Sequence, residues 1–354
     1  MSKTTTDLLY LVTIVTFILA LRFLSSPRRA RQGNLLGAAG MALAIAVTLA
    51  QDGLDNYLWI ALAMAIGAVV GVVGARSVKM TAMPQMVALF NGVGGGAVAL
   101  IALAEFHNLS PLPDELPADE SIAILLSALI GSISFSGSLV AFAKLQELLS
   151  GRPIVYPGQQ VVNGLVLGTA VVLGVLVVAG AEADGYVVAL IAAALAFGVL
   201  FVLPIGGADM PVVISLLNAF TGLAASAAGF LLHNNVLIVA GALVGASGTL
   251  LTLLMGRAMN RSIGNVLFGA FGSVAAGGGP AAGDDGRTVR STTPEDLAIM
   301  LGFARRVVFV PGYGLAVAQA QHDVRGLAEL LEAKGVDVLY GIHPVAGRMP
   351  GHMN

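Results

Sequence analysis

The chain contains no cysteine, which excludes a disulfide framework, a thiolate nucleophile and any zinc or iron–sulfur centre built on sulfur. Charge is scarce as well: 11% of its 354 residues are Asp, Glu, Lys or Arg, where soluble domains carry roughly a quarter. With 57% hydrophobic residues and a mean hydropathy of +0.88, the composition is that of an integral membrane protein. The net charge of −2 and the lack of a basic stripe argue against a nucleic-acid binder. The N-terminus, MSKTTTDLLYLVTIVTFILALRFL, has neither a basic n-region nor a small-residue cleavage site, so it reads as a retained first helix.

What the chain does have is long apolar runs. Stretches of roughly 20 apolar residues cross a bilayer core, and they are predicted at 7–24, 33–50, 57–76, 84–104, 121–143, 160–180, 185–203, 211–232 and 235–256. Loop charges alternate between them. Arg22, Arg28, Arg29 and Arg31, then Arg76 and Lys79, then Lys144 and Arg152, then Arg257 and Arg261 fall on one side, and only Lys3 on the other. The opposite side carries Asp52, Asp55, the acidic loop from Asp114 to Glu120, Glu182 and Asp184. The positive-inside rule then puts the N-terminus outside and everything after Gly256 in the cytoplasm, in a multi-pass membrane protein. Small residues at Gly67, Gly71 and Gly74, at Gly92 to Gly96, and at Gly241, Gly245 and Gly248 predict close helix packing, within the chain or through dimerisation.

After the last span, residues 273–296 read as a Gly-, Ala- and Asp-rich flexible linker. Thr293 before Pro294, with Asp296 following, is a helix N-cap signature. VVFVPGYG then reads as a buried strand ending in a tight turn, LAVAQAQHDVRGLAELLEAKG as a helix and VDVLYGIHP as a second strand, the opening of a doubly wound fold. The expected fold class is therefore an all-α polytopic membrane bundle of about nine transmembrane helices followed by the start of a Rossmann-like α/β domain. The sequence ends at Asn354, short of the roughly 150 residues of a whole Rossmann domain, so a truncated chain is expected.

Two groups of residues carry chemistry. Gly312-Tyr313-Gly314-Leu315-Ala316-Val317 follows G-x-G-x-x-G/A at its first two glycines, with valine in third place. Between a strand and a helix, such a turn brings backbone N–H groups and the helix dipole to a pyrophosphate; a purely structural turn is the alternative. The second strand ends in Tyr340-Gly341-Ile342-His343 without the acidic residue that holds an NAD ribose, which favours NADP, and Arg348 either faces a phosphate or is an ordinary loop arginine. Inside the spans, Asn91, Ser132, Ser134, Ser136, Ser138 and Asn218 are polar, and Asp209 precedes the eighth span. Such groups line a wet path or bond between helices. Ser134 and Ser138 share one helical face. His107 and His233 fall at the outer side, so no histidine is embedded in the membrane.

These residues resemble the β subunit of proton-translocating NAD(P) transhydrogenase over essentially the whole chain. The resemblance is carried by SGSLVAF at 136–142, GGADMPVVISLLNAFTG at 206–222, GALVGASG at 241–248, AMNRS at 258–262, VPGYGLAVAQAQ at 310–321 and GIHPVAGRMPGHMN at 341–354. It implies hydride transfer from NADH to NADP+ driven by protons moving inward, with NADP(H) on this subunit and NAD(H) on a partner α subunit. It also implies 1–256 as the proton-channel domain, 257–296 as hinge and linker, and 297–354 as the N-terminal part of the NADP-binding domain. Asn91, Ser138, Asp209 and Asn218 fall at proton-path positions, and Arg261 and Ser262 in the hinge. Gly312 to Val317 would contact the dinucleotide, with His343, Pro344, Val345, Ala346, Gly347 and Arg348, followed by 351–354, in the adjoining loop.

Two departures follow from the resemblance. Some members have a histidine where this chain has Asn91; those with asparagine take one from a membrane helix of the partner. The end at Asn354 omits the lysine–arginine segment that holds the NADP 2′-phosphate. A dimer of the whole complex in lipid is implied. A nucleotide-gated channel or transporter is the alternative, although no TVGYG-like filter is present.

Overall fold

Each apolar run is an α-helix in the computed structural model, which describes residues 2–51, 53–79, 82–109, 117–179, 184–258, 264, 293–312, 315 and 320–341. The helices are α1 (Lys3–Leu24), α2 (Ala30–Leu49), α3 (Tyr57–Ser77), α4 (Met83–Leu109), α5 (Ala118–Leu145), α6 (Gln159–Val178), α7 (Asp184–Val202), α8 (Met210–Leu231) and α9 (Asn235–Ala258). Among the described residues these nine are long and apolar enough to span a membrane. The expected ends are met within a few residues except at α4, whose helix runs on through Glu105 and His107. At α5 the extra turns take in Asp119, Glu120 and Lys144. Hydropathy falls at the first charge, whereas glutamate and lysine are good helix formers and continue the backbone ladder.

The described residues fall into two units, within 1–274 and within 275–354. In the first, α5 and α8 are the most buried helices. α5 packs on α4, α7 and α8; α8 packs on α9, α6 on α7, and α1 on α2. Ile133, Val140, Phe197, Val202, Met210 and Leu217 form the largest apolar core, between α5, α7 and α8. Phe106, Ile124, Val177 and Leu190 form a second core towards the other end of the bundle.

Glycines set the helix spacing, but not all of them. A Cβ on Gly222 would lie 2.7 Å from the Gly245 nitrogen, and one on Gly229 would lie 2.6 Å from that of Ile238, so α8 and α9 touch through their backbones. Gly67 and Gly71 on α3 meet nothing within 4 Å, and α3 buries no residue in the described chain. The same small-residue spacing therefore serves intrachain packing at α4, α5, α8 and α9 and is unused within the chain at Gly67 and Gly71.

The second unit begins with α10 (Pro294–Gly302), where the Thr293 hydroxyl accepts from the Asp296 N–H at 3.2 Å as the cap signature predicted. β1 (Arg306–Phe309), α11 (Gln321–Ala333) and β2 (Asp337–Tyr340) follow. The strands pair in parallel from Arg306↔Asp337 to Phe309↔Tyr340. Gly335, at φ +80°, ends α11, and the Val336 N–H returns to the Leu331 carbonyl at 3.0 Å, which turns the chain into β2. Two strands are described in this unit; of the doubly wound sheet expected from the sequence, the described part is one β–α–β unit.

Candidate functional site

Gly95 on α4 and Gly131 on α5 bring two helix backbones into direct contact: a Cβ on Gly95 would sit 2.8 Å from the Gly131 carbonyl oxygen. One turn away, Gly92 leaves room for Ser138, whose Cβ would lie 3.3 Å from a Cβ at 92. At that separation short polar side chains reach across. The buried Asn91 amide donates to Ser138 Oγ at 2.9 Å and to Ser134 Oγ at 3.3 Å. Ser134 continues to α8, where its Oγ meets Thr221 Oγ1 and the Leu217 carbonyl oxygen, the latter at 2.9 Å. Thr221 Oγ1 lies 3.0 Å from the same carbonyl.

Each hydroxyl has one proton, which leaves two complementary arrangements. Either Ser134 donates to Leu217 and receives from Thr221, or Thr221 donates to Leu217 and receives from Ser134. In both, the Ser134 proton is used towards α8, so Ser134 can only accept from Asn91, which fixes the amide with Nδ2 towards the serines. The result is a buried hydrogen-bonded row across α4, α5 and α8 in which the Ser134–Thr221 bond can reverse; it contains no titrating group.

The serine run separates into two uses. Ser134 and Ser138 belong to the row, as their shared face predicted. Ser136 instead bonds the Ser132 carbonyl within α5 at 3.1 Å and packs against Gly198 of α7. Asn218 is half-buried on α8, one residue past Leu217, and among the described residues no hydrogen bond joins its side chain to the row. Thr221, which the sequence reading did not single out, is in the row; it sits three residues after Asn218, at the spacing of one helical face.

Asp209 ends the short 3₁₀ turn Gly207–Asp209 and stands at the N-cap of α8, where the helix dipole favours a carboxylate. Its N–H bonds the Gly206 carbonyl at 3.0 Å. Lys144, read from the sequence as a loop charge, is in the last turn of α5 and only 3% exposed. Its Nζ donates to the carbonyls of Leu203 and Ile205, just beyond α7. At the opposite helix ends, the exposed His107 lies 2.7 Å from Asp184, and His233 3.9 Å from Glu120.

In the second unit the turn after β1 closes with the Leu315 N–H on the Gly312 carbonyl at 3.1 Å. A hollow of about 220 Å³ lies there, lined by Phe309, Val310, Pro311, Gly312, Leu315 and Val324. Gly312 is outside the left-handed region, and a Cβ on it would meet nothing within 4 Å among the described residues. The fold itself therefore does not demand glycine at 312; the open space beside its backbone suits close approach by a ligand. Tyr313, Gly314, Ala316 and Val317, His343 to Arg348, 351–354, and Arg261 with Ser262 lie outside the described residues. No group of three or more His, Asp or Glu side chains placed to hold a metal occurs among the described residues.

Comparison with known proteins covers almost the whole chain. Residues 6–354 match the family described as NAD(P) transhydrogenase beta subunit. Two proteins named NAD(P) transhydrogenase subunit beta, one from Rhodospirillum rubrum and one from a designated strain of that species, are each 48% identical over 361 aligned positions, spanning 100% of this chain and 77% of the relative. Matched over residues 6–354 and by relatives 48% identical across its whole length, the chain belongs to the NAD(P) transhydrogenase beta subunit family.

Proposed function

We propose that this chain couples inward proton translocation across a bacterial inner membrane to hydride transfer from NADH to NADP+, with NADP(H) on this subunit and NAD(H) on a partner α subunit. The observation that carries the reading is the Asn91–Ser134–Ser138–Thr221 row, buried between membrane-length helices of a transhydrogenase-family chain. The row holds no titrating group, so the protonatable partner comes from outside it; a histidine on a membrane helix of the α subunit would supply it. The N-terminus is outside and the second unit is cytoplasmic, in a dimer of the whole complex embedded in lipid.

On the cytoplasmic side, Gly312 to Val317 cradle the dinucleotide phosphates through backbone N–H groups, and His343 to Arg348 complete the loop of a Rossmann-like domain. The space beside Gly312 fits that role. When bound, the nicotinamide supplies the hydride-accepting carbon, and the chain's own part is to position it and exclude water. Asp209 at the head of α8 belongs to the proton path with Asn91, Ser138 and Asn218, and Arg261 and Ser262 to the hinge that couples it to nucleotide binding. Occupancy of the row then changes the affinity for NADP+ against NADPH, and the nucleotide biases the row by the same free energy.

The test is the intact complex in proteoliposomes with NADPH and an NAD+ analogue, following analogue reduction and luminal pH together. Reduction with a matching, uncoupler-sensitive pH change is expected, and Asn218→Leu should lose the pH change ahead of the reduction. Ion flux without reduction would instead select a nucleotide-gated transporter.

A further inference from the structure

The helices that hold the Asn91–Ser138 bond are each tied down again six residues farther on, at the same end. Six residues of helix are about 9 Å. On α4, Gln85 Nε2 donates to the Leu145 carbonyl at 3.1 Å, while its Oε1 is buried without a partner among the described residues. On α5, Lys144 Nζ donates to Leu203 and Ile205, the latter at 2.8 Å. These carbonyls follow the last residue of α7, outside its helical ladder; a lysine there also complements the helix dipole. The loop after α5 joins the same segment through its backbone, Ile154 N–H to the Leu203 carbonyl at 3.1 Å and Gly207 N–H to the Gly151 carbonyl at 2.8 Å. The Asp209 N–H bonds Gly206 within that segment, and α8 starts there.

We propose that Lys144 is a positioning residue for proton translocation: by fixing residues 203–207 to the end of α5, it sets where Asp209 stands relative to the Asn91–Ser138 row. A buried lysine is retained in a membrane helix where its position matters, and here its reach spans two carbonyls with one nitrogen. Methionine would fill a similar space and leave the Ile205 carbonyl without that donor. A displaced 203–207 segment carries Asp209, and with it the head of the helix bearing Leu217 and Thr221. This role rests on the function proposed above.

The chain offers its own reporter. It has no cysteine, and a Cβ at Gly206 would meet Pro153 at 3.6 Å, an ordinary contact, so Gly206→Cys places a single thiol in the tied segment. In the intact complex in proteoliposomes, Lys144→Met should lower protons moved per hydride at least about fivefold and raise the labelling rate of that thiol about tenfold; Lys144→Arg should bring both within about twofold of the parent. If Lys144→Met fails to assemble, Lys144→Gln, which keeps a donor but loses reach, carries the same expectations. An unchanged ratio and labelling rate, or no rescue by arginine, overturns the proposal. A parent complex that moves no protons overturns the function instead, so the two failures are distinct.

Discussion

Gly131 presents its Cα to Gly95 so closely that a Cβ on it would lie 2.7 Å from the Gly95 carbonyl oxygen. That backbone contact is what lets an asparagine and two serines meet across α4 and α5. Gly131→Ala is expected to force the helices apart, at about 1–3 kcal/mol of stability, the range for overpacking. Gly67→Ala, with nothing within 4 Å, should leave this chain's stability unchanged. Thermal midpoints of the solubilised complex check both; a drop for Gly67→Ala would show that another chain covers α3.

Thr221→Val keeps the shape of the side chain and removes the hydroxyl that Ser134 meets. The row then ends at the Leu217 carbonyl, which Ser134 still bonds, and proton translocation should fall at least about tenfold, with Ser134→Ala giving a similar loss and the double variant little more than either alone. Luminal acidification in proteoliposomes reads the effect. Additive losses would mean that the hydroxyls act separately.

Gly312→Ala tests the reason for glycine at the nucleotide turn. Since its added Cβ would meet nothing within 4 Å, the fold should be unaffected, while affinity for NADP+ drops about tenfold if a phosphate approaches that backbone. Isothermal titration of the intact complex, with the thermal midpoint alongside, separates the two effects.

The Arg306–Asp337 pair, 2.7 Å apart across the strand register, has side chains 68% and 50% exposed. Exposed pairs of this kind contribute little and weaken with salt. Arg306→Ala is expected to leave the unfolding midpoint unchanged at physiological salt, and a clear loss would show that the pair is covered in the complex.

Tyr156, in the loop before α6, donates from its hydroxyl to Asn163 Oδ1 at 2.7 Å, and burial pushes the phenol's pKa up. The folded chain thus holds this proton more tightly than the unfolded one. Its contribution to stability is whole below the unfolded value near 10 and is lost as pH rises through the folded value. Tyr156→Phe should flatten the fall of the thermal midpoint in that alkaline range; an unaltered slope would exclude Tyr156 as its source.

The spans were legible because hydropathy averages over some twenty residues and each helix is that long. Helix ends were less so: Lys144 ends the apolar run at α5 yet is buried, because its use depends on where α7 terminates, which no local pattern reports. The pairing of Ser134 with Ser138 followed from helical spacing. Thr221 did not stand out, since a threonine in an apolar helix can always bond its own preceding turn, as this one also does with Leu217. Gly67 and Gly95 look alike in sequence, and only the neighbouring helix distinguishes them.

The hydroxyls of Ser134 and Thr221 share one acceptor, the Leu217 carbonyl, and each has a single proton, so whichever donates to Leu217 receives from the other. Rotating both hydroxyls exchanges the two arrangements without parting α5 from α8. The joint between these helices is therefore doubly degenerate, and it keeps an orientational freedom that a single fixed bond would lose.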